Sequence, residues 1–143
     1  MVDFDRIQVL SLQPMSNQKL LAVALDLTCF APRSARASLG GYGAVAARTL
    51  HKCRAELAGR AGSYHYNCPL DQVFFRFTGI DPEEFKGFVA TGVSDEEVAR
   101  WIEEKSKVRD AKRVLTWSRR FHLNPLLRLL DFDDWLHARY NRP

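Results

Sequence analysis

The chain has 143 residues and a formal net charge of +4, with 46% hydrophobic and 27% charged residues. This length is enough for one domain with its own core, and the composition is typical of a soluble globular protein. No apolar run approaches the roughly 18 residues of a membrane span, and Leu20 to Leu25 is too short for a signal peptide. Three cysteines without a C-x-x-C pair favour a reducing compartment, so we expect a cytoplasmic protein.

The first part of the chain shows no sustained hydrophobic period. We predict that residues 1–25 are a mobile N-terminal extension, with a short helix capped by Asn17, and that residues 26–143 form a single domain. A long helix is predicted over 43–58. It places one apolar stripe inward and a charged side opposite, and the stripe consists of Ala46, Leu50, Cys53 and Leu57.

Local start signals predict the helices that follow. Pro69 suits a first helical turn, with Asn67 or Cys68 as the cap. Asp81-Pro82 and Ser94 open two more helices, and the apolar period predicts another over about 109–121. A last helical region runs from Pro125 to about 140, with a break near Asp131. No convincing strand pattern is present, so the predicted fold class is all-α, one compact domain of about six helices with an aromatic-rich central loop.

The stretch from Ser63 to Asp81 concentrates aromatic and reactive side chains. A loop reading Tyr-His-Tyr-Asn-Cys runs into a helix that carries Phe74 and Phe77 on one face. Arginines together with Tyr and Asn donors bind carboxylates or phosphates. We therefore predict a pocket for a small anionic ligand or peptide, formed by Arg33, Arg36, Arg54, Tyr64, His65, Tyr66, Asn67, Cys68 and Asp71. The structural alternative is that Arg54 pairs with Asp71 and ties the long helix to the loop.

Two chemical alternatives involve the same stretch. An enzyme would use His65, Cys68 or Asp71, but no orienting group completes a catalytic set, so enzymatic activity stays open. A zinc site is the other alternative; its four candidate ligands have the right types but not a usual finger spacing, and they are His51, Cys53, His65 and Cys68. No glycine-rich phosphate motif is present. We predict neither a metal nor a cofactor.

Charge is segregated along the second half of the chain. Residues 81–104 carry eight acids against two bases, and residues 105–120 carry seven bases against one acid. Cations on one side of the predicted 109–121 helix, with Trp117 at the edge, are able to follow a nucleic-acid backbone. This second hypothesis depends on Arg109, Lys112, Arg113, Arg119 and Arg120. The alternative is that these cations pair with the acidic helices at 81–104.

Short motifs from Asp26 to Ile102 resemble those of a known family. They are D-L-T at 26–28, P-R-S-A-R at 32–36, L-G-G-Y at 39–42, K-C-R-A-E-L-A-G at 52–59, Y-H-Y-N-C-P-L-D at 64–71, F-T-G-I-D at 77–81 and S-D-E-E-V at 94–98. Together they resemble a bacterial family known only as a domain of unknown function. The resemblance implies a compact, mostly helical bacterial cytosolic protein, and it implies no activity.

Overall fold

The computed structural model describes residues 17–141, and within that range the protein is all-α, as predicted. Residues 17–23 form helix α1, and six helices follow it: α2 Ala46–Leu57, α3 Pro69–Thr78, α4 Pro82–Val89, α5 Asp95–Lys105, α6 Ala111–His122 and α7 Pro125–Asn141. Between α1 and α2 the chain is irregular, apart from an isolated bridge between Leu39 and Tyr42. No helix among the described residues is both long enough and apolar enough to cross a membrane.

Part of the predicted N-terminal extension packs against the other helices. Helix α1 confirms the short helix expected at Asn17, and Leu20 and Ala24 are buried. The backbone of this helix lies so close to Gly92 that no side chain would fit there. The prediction of a mobile segment otherwise falls on residues 1–16, which lie outside the described residues.

Three helix starts have side-chain caps, and the sequence predicts two of them, Asp81 and Ser94. The backbone N–H of Glu83 donates to Asp81 Oδ1 at 2.7 Å, and that of Glu97 donates to Ser94 Oγ at 3.2 Å. Asp110 likewise accepts from the backbone N–H of Lys112 at 2.9 Å. Each cap satisfies a backbone N–H that has no partner within its own helix. Local chemistry therefore sets the starts of α4, α5 and α6.

An aromatic cluster forms the core between α2, α3, α4 and α6. Phe74 and Phe85 are fully buried, and Phe74 lies edge-on to Tyr42 with ring centroids 5.4 Å apart. Phe85 contacts Phe75 in the same manner at 5.4 Å. Such pairs add roughly 0.5–1.5 kcal/mol beyond the area that they bury. This cluster fixes α3, which carries the predicted ligand loop at its start.

Helix α2 is buried on both sides, including the charged side that the sequence predicts opposite the apolar stripe. Arg48, Lys52 and Arg54 are each only 3% exposed, although they belong to the predicted charged side. Burial of unpaired charge is costly, so these side chains require partners inside the protein. Their partners are carboxylates on three other helices, Asp71 of α3, Asp95 of α5 and Asp134 of α7.

Helix α7 is continuous, so the predicted break near Asp131 is wrong. Its acids attach it to the domain: Asp131 pairs with Arg36 at 2.7 Å and Asp134 pairs with Arg48 at 2.5 Å. Most of its large apolar side chains are exposed instead, namely Leu126, Leu129, Phe132, Trp135 and Tyr140. Two ion pairs about one helical turn apart thus take the place of most of the apolar stripe that usually fixes a terminal helix.

Candidate functional site

The first polar cluster joins α2 to the start of α3. Lys52 Nζ lies 2.8 Å from Asp71 Oδ2, and both side chains are almost fully buried. Asp71 also accepts from Thr49 Oγ1 at 2.7 Å and from the backbone N–H of Cys68 at 3.3 Å. The same Lys52 ammonium contacts Cys68 Sγ at 3.0 Å. A buried ammonium thus joins a carboxylate to a partly exposed thiol at the N-terminus of a helix.

The second cluster joins α2 to α7. The Arg48 guanidinium contacts both carboxylate oxygens of Asp134, at 2.5 and 3.2 Å. The Tyr64 hydroxyl donates to Asp134 at 2.9 Å, and the guanidinium lies 5.5 Å from the centre of the Tyr64 ring. Burial, together with the charge of Asp134, raises the pKa of Tyr64. Tyr64 therefore acts here as a neutral hydrogen-bond donor that helps to hold α7.

The third cluster lies at the start of α5. Arg54 donates to Asp95 Oδ1 at 2.7 Å, and Arg33 donates to Asp95 Oδ2 at 2.6 Å. His51 accepts a hydrogen bond from the backbone N–H of Arg33 at 3.3 Å. Burial, and then the charges of Arg33 and Arg54, lower the pKa of His51 to about 4. His51 is therefore a neutral imidazole next to two arginines.

These clusters distribute the predicted ligand residues among three internal networks. The interpretation that Arg54 pairs with Asp71 is wrong, because Arg54 pairs with Asp95 and Lys52 takes its place. The prediction failed because Lys52 and Arg54 are two residues apart on α2, so their side chains point to different neighbours. Arg36 binds Asp131 on α7, away from the loop. The Tyr66 hydroxyl donates to the backbone oxygen of Pro82 at 2.6 Å.

Three predicted loop residues remain accessible at the surface. His65 is exposed, and the polar contact of Cys68 is Lys52 rather than His65. Asn67 adopts φ 60° and lines a shallow cleft with Gln72 and Arg76. The side-chain oxygen of Asn67 is buried and has no hydrogen-bond partner among the described residues. This cleft is where the structure leaves room for a ligand beside the loop.

The structure does not assemble the residues considered for zinc. Within residues 17–141, no three His, Cys, Asp or Glu side chains lie close enough to hold a metal ion. Cys53 is fully buried, and burial raises the pKa of its thiol to about 12. A thiol in such surroundings is inert and forms part of the core.

The second predicted site, on α6, has a different character. All five predicted cations are exposed: Arg109, Lys112, Arg113, Arg119 and Arg120. The ion pairs of the described residues include none of these five side chains, so pairing with the acidic helices at 81–104 is not observed. Arg109 instead donates to the backbone oxygen of Glu104 at 2.9 Å.

A surface groove of about 390 Å³ runs along α6, between α6 and the end of α3. We call it the α6 groove, and its lining is Phe77, Lys112, Arg113, Thr116, Trp117 and Arg120. A smaller depression of about 250 Å³ continues it past Phe121 and Asn124, and the two share Trp117 and Arg120. Lys112, Arg113 and Arg120 thus line a cleft and not merely a solvated helix face.

Aromatic rings form the floor of the α6 groove. Trp117 stacks on Phe77 with ring centroids 4.8 Å apart and an interplanar angle of 14°, and it meets Phe121 edge-on at 4.6 Å. The sequence places Trp117 at the edge of the basic face but does not bring Phe77 to it. Phe77 belongs to α3, and its spacing from Phe74 placed it on the helix face beneath the predicted ligand loop.

Comparison with known proteins identifies a family for this chain. No curated protein matches the chain. A family described as a domain of unknown function matches residues 30–125, which include α2 through α6 and so both candidate sites. Since this match covers more than half of the 143 residues, the chain belongs to that family of unknown function, DUF5069.

Proposed function

We propose that this protein binds single-stranded nucleic acid in the α6 groove. The observation that carries the proposal is that Lys112, Arg113 and Arg120 line one aromatic-floored groove and have no ion-pair partner among the described residues. Four other arginines of the described residues are paired with carboxylates, namely Arg33, Arg36, Arg48 and Arg54. Cations left without partners in a groove remain available to an external anion.

The chemistry of the groove favours a single strand over a duplex. Lysine and arginine side chains bind phosphates, and the partly exposed rings of Phe77 and Trp117 offer contact surface to unstacked bases. In a duplex the base faces are already stacked on one another, so an aromatic floor gains nothing from them. Helix α6 is about 18 Å long at 1.5 Å per residue, which suits a short stretch of strand. The three unpaired cysteines support a reducing, cytoplasmic setting for such a bacterial protein.

Fluorescence anisotropy of a labelled single-stranded oligonucleotide tests this proposal. If three to five phosphates are bound, affinity should fall by about one to two powers of ten between 50 and 200 mM salt. The double variant Arg113→Glu/Arg120→Glu should abolish binding. The matched control is Arg128→Glu/Arg139→Glu, which makes the same change in net charge on α7, where both residues are exposed.

Two results would exclude the proposal. One is binding that does not respond to salt, because phosphate contacts release counterions. The other is an equal loss of affinity in the two double variants, because that would show a response to net charge alone. Tighter binding to duplex than to a single strand of the same length would leave a nucleic-acid site but remove the role of the aromatic floor.

A second candidate is a small anionic ligand in the cleft beside the predicted loop. The buried side-chain oxygen of Asn67, which lacks a partner among the described residues, favours it. A ligand hydroxyl would donate to Asn67 while Arg76 binds the anionic group. Native mass spectrometry of the purified protein should then show a retained small molecule that Arg76→Ala loses. If the wild type and Arg76→Ala each have the mass of the polypeptide alone, this candidate is removed.

A further inference from the structure

We propose that Cys68 and Lys52 form an oxidation site at which peroxide links the two side chains through a sulfur–nitrogen bond. The site lies apart from the α6 groove and is independent of nucleic-acid binding. Its basis is the 3.0 Å contact between Lys52 Nζ and Cys68 Sγ. Lys52 is 3% exposed and held on its other side by Asp71, so the nitrogen is fixed against the sulfur.

The surroundings suit each reactant. Cys68 is partly exposed, so that a small oxidant reaches it, and it is the N-cap of the ten-residue helix α3. A neighbouring cation and a helix N-terminus are the two features that favour thiolate chemistry in proteins. A buried ion pair such as Lys52–Asp71 is seldom a net source of stability, because desolvation of both charges offsets their attraction. A chemical role gives this arrangement a reason that stability alone does not.

The first step forms a sulfenic acid with hydrogen peroxide as the oxidant. The Cys68 thiolate attacks one peroxide oxygen, the O–O bond breaks, and the hydroxide that leaves takes a proton from the Lys52 ammonium to form water. Sulfur is oxidised by two electrons, and the peroxide is reduced. The step leaves a neutral Lys52 amine beside the sulfenic acid, with Asp71 Oδ2 still within 2.8 Å to orient it.

The second step joins the two residues. The Lys52 nitrogen attacks the Cys68 sulfur, the S–O bond breaks, and the departing hydroxide combines with a proton from the amine to give a second water. Sulfenic acids are known to condense in this way with thiols and with backbone nitrogen. The product ties α2 to the start of α3 and lacks two hydrogen atoms relative to the reduced protein. Two equivalents of an external thiol would restore the free cysteine and the free lysine.

The chain supplies its own control in Cys29. Cys29 is also partly exposed, but the polar contacts of its sulfur are the Thr28 hydroxyl at 3.6 Å and the Asp26 carboxylate at 4.0 Å, rather than a lysine. A sulfenic acid at Cys29 therefore has no amine to capture it, and it should react with dimedone. Cys53 is fully buried and should be untouched in the folded protein.

Peptide mass mapping after treatment with hydrogen peroxide and dimedone tests the site. We expect a linked Lys52–Cys68 peptide that is lighter by two hydrogens and disappears on thiol treatment, with dimedone on Cys29 and none on Cys68. In Lys52→Arg, which keeps the charge but has no nucleophilic amine, Cys68 should instead carry dimedone.

The wild-type map decides the question even if the buried Lys52→Arg substitution prevents folding. Dimedone or a sulfinic acid on Cys68 of the folded wild type, with no linked peptide, would overturn the proposal. Oxidation of Cys68 no faster than that of Cys29 would also overturn it, because the lysine contact would then give no advantage.

Discussion

Helices α2 and α6 carry similar numbers of lysines and arginines, but their side chains have opposite environments. On α2, Arg48, Lys52 and Arg54 are buried, and each has a carboxylate partner on another part of the chain. On α6, Lys112, Arg113 and Arg120 are exposed and pair with no acid of the described residues. The difference shows that positive charge in this protein serves two purposes, internal connection on α2 and an accessible surface on α6.

The largest effect should come from removing a carboxylate partner of α2. Asp71→Ala leaves the buried Lys52 ammonium unpaired and removes the hydrogen bonds to Thr49 and to the Cys68 N–H. Breaking a buried pair in this way costs about 3–5 kcal/mol. At this chain length that is a fall in melting temperature of roughly 10–20 °C. Thermal denaturation followed by circular dichroism measures it.

His65→Ala is the control for that experiment. His65 lies in the same loop but is exposed, so its truncation should change stability by less than about 0.5 kcal/mol. If Asp71→Ala costs less than about 1 kcal/mol, the α2 pairs are not internal connections, and the contrast with α6 fails.

A smaller effect should appear as a pH dependence at His51. Its folded pKa of about 4 lies below the ordinary value of 6.5, mainly because of burial and then because of Arg33 and Arg54. Between those two values the unfolded chain binds more protons than the folded protein, so stability should decrease as the pH falls from 6.5 to 4. The total is at most about 3.4 kcal/mol. Urea denaturation at a series of pH values gives this slope, and His51→Gln should flatten it.

The pH dependence that comes from Asp95 lies in a lower pH range than the one expected for His51. Burial raises the pKa of its carboxyl, but hydrogen bonds from Arg54 and Arg33 outweigh burial and lower the pKa overall. The stability that Asp95 contributes is therefore present above its unfolded value and is lost only as the pH falls below about 4. If the stability of His51→Gln still decreases with falling pH above about pH 4, His51 is not the source of the pH dependence.

The smallest effect on stability should come from α6. Arg113→Glu/Arg120→Glu removes no internal ion pair of the described residues, so we expect the free energy of unfolding to change by less than about 0.5 kcal/mol per site. Thermal denaturation of the variant used in the binding test checks this directly. A loss above about 2 kcal/mol would show that these arginines are structural, like those of α2.

The sequence by itself determined the features that depend on neighbouring residues. The caps at Asp81 and Ser94 act within three positions, and the apolar period of 3.6 residues belongs to one helix, so both are readable without a fold. The basic side of α6 was predicted in the same way, but its exposure to solvent was not. These signals were enough to establish the all-α class.

Only the tertiary structure decided which charges are paired and which are available. Arg48 and Asp134 are 86 positions apart, and Thr49 and Asp71 are 22 apart, so no local pattern identifies them as partners. Helical periodicity separates a polar side from an apolar side, but it does not say whether the polar side faces water or the acids of another helix. The packing of α3 and α7 around α2 answers that question. The same packing brings Phe77 to Trp117 and creates the floor of the α6 groove.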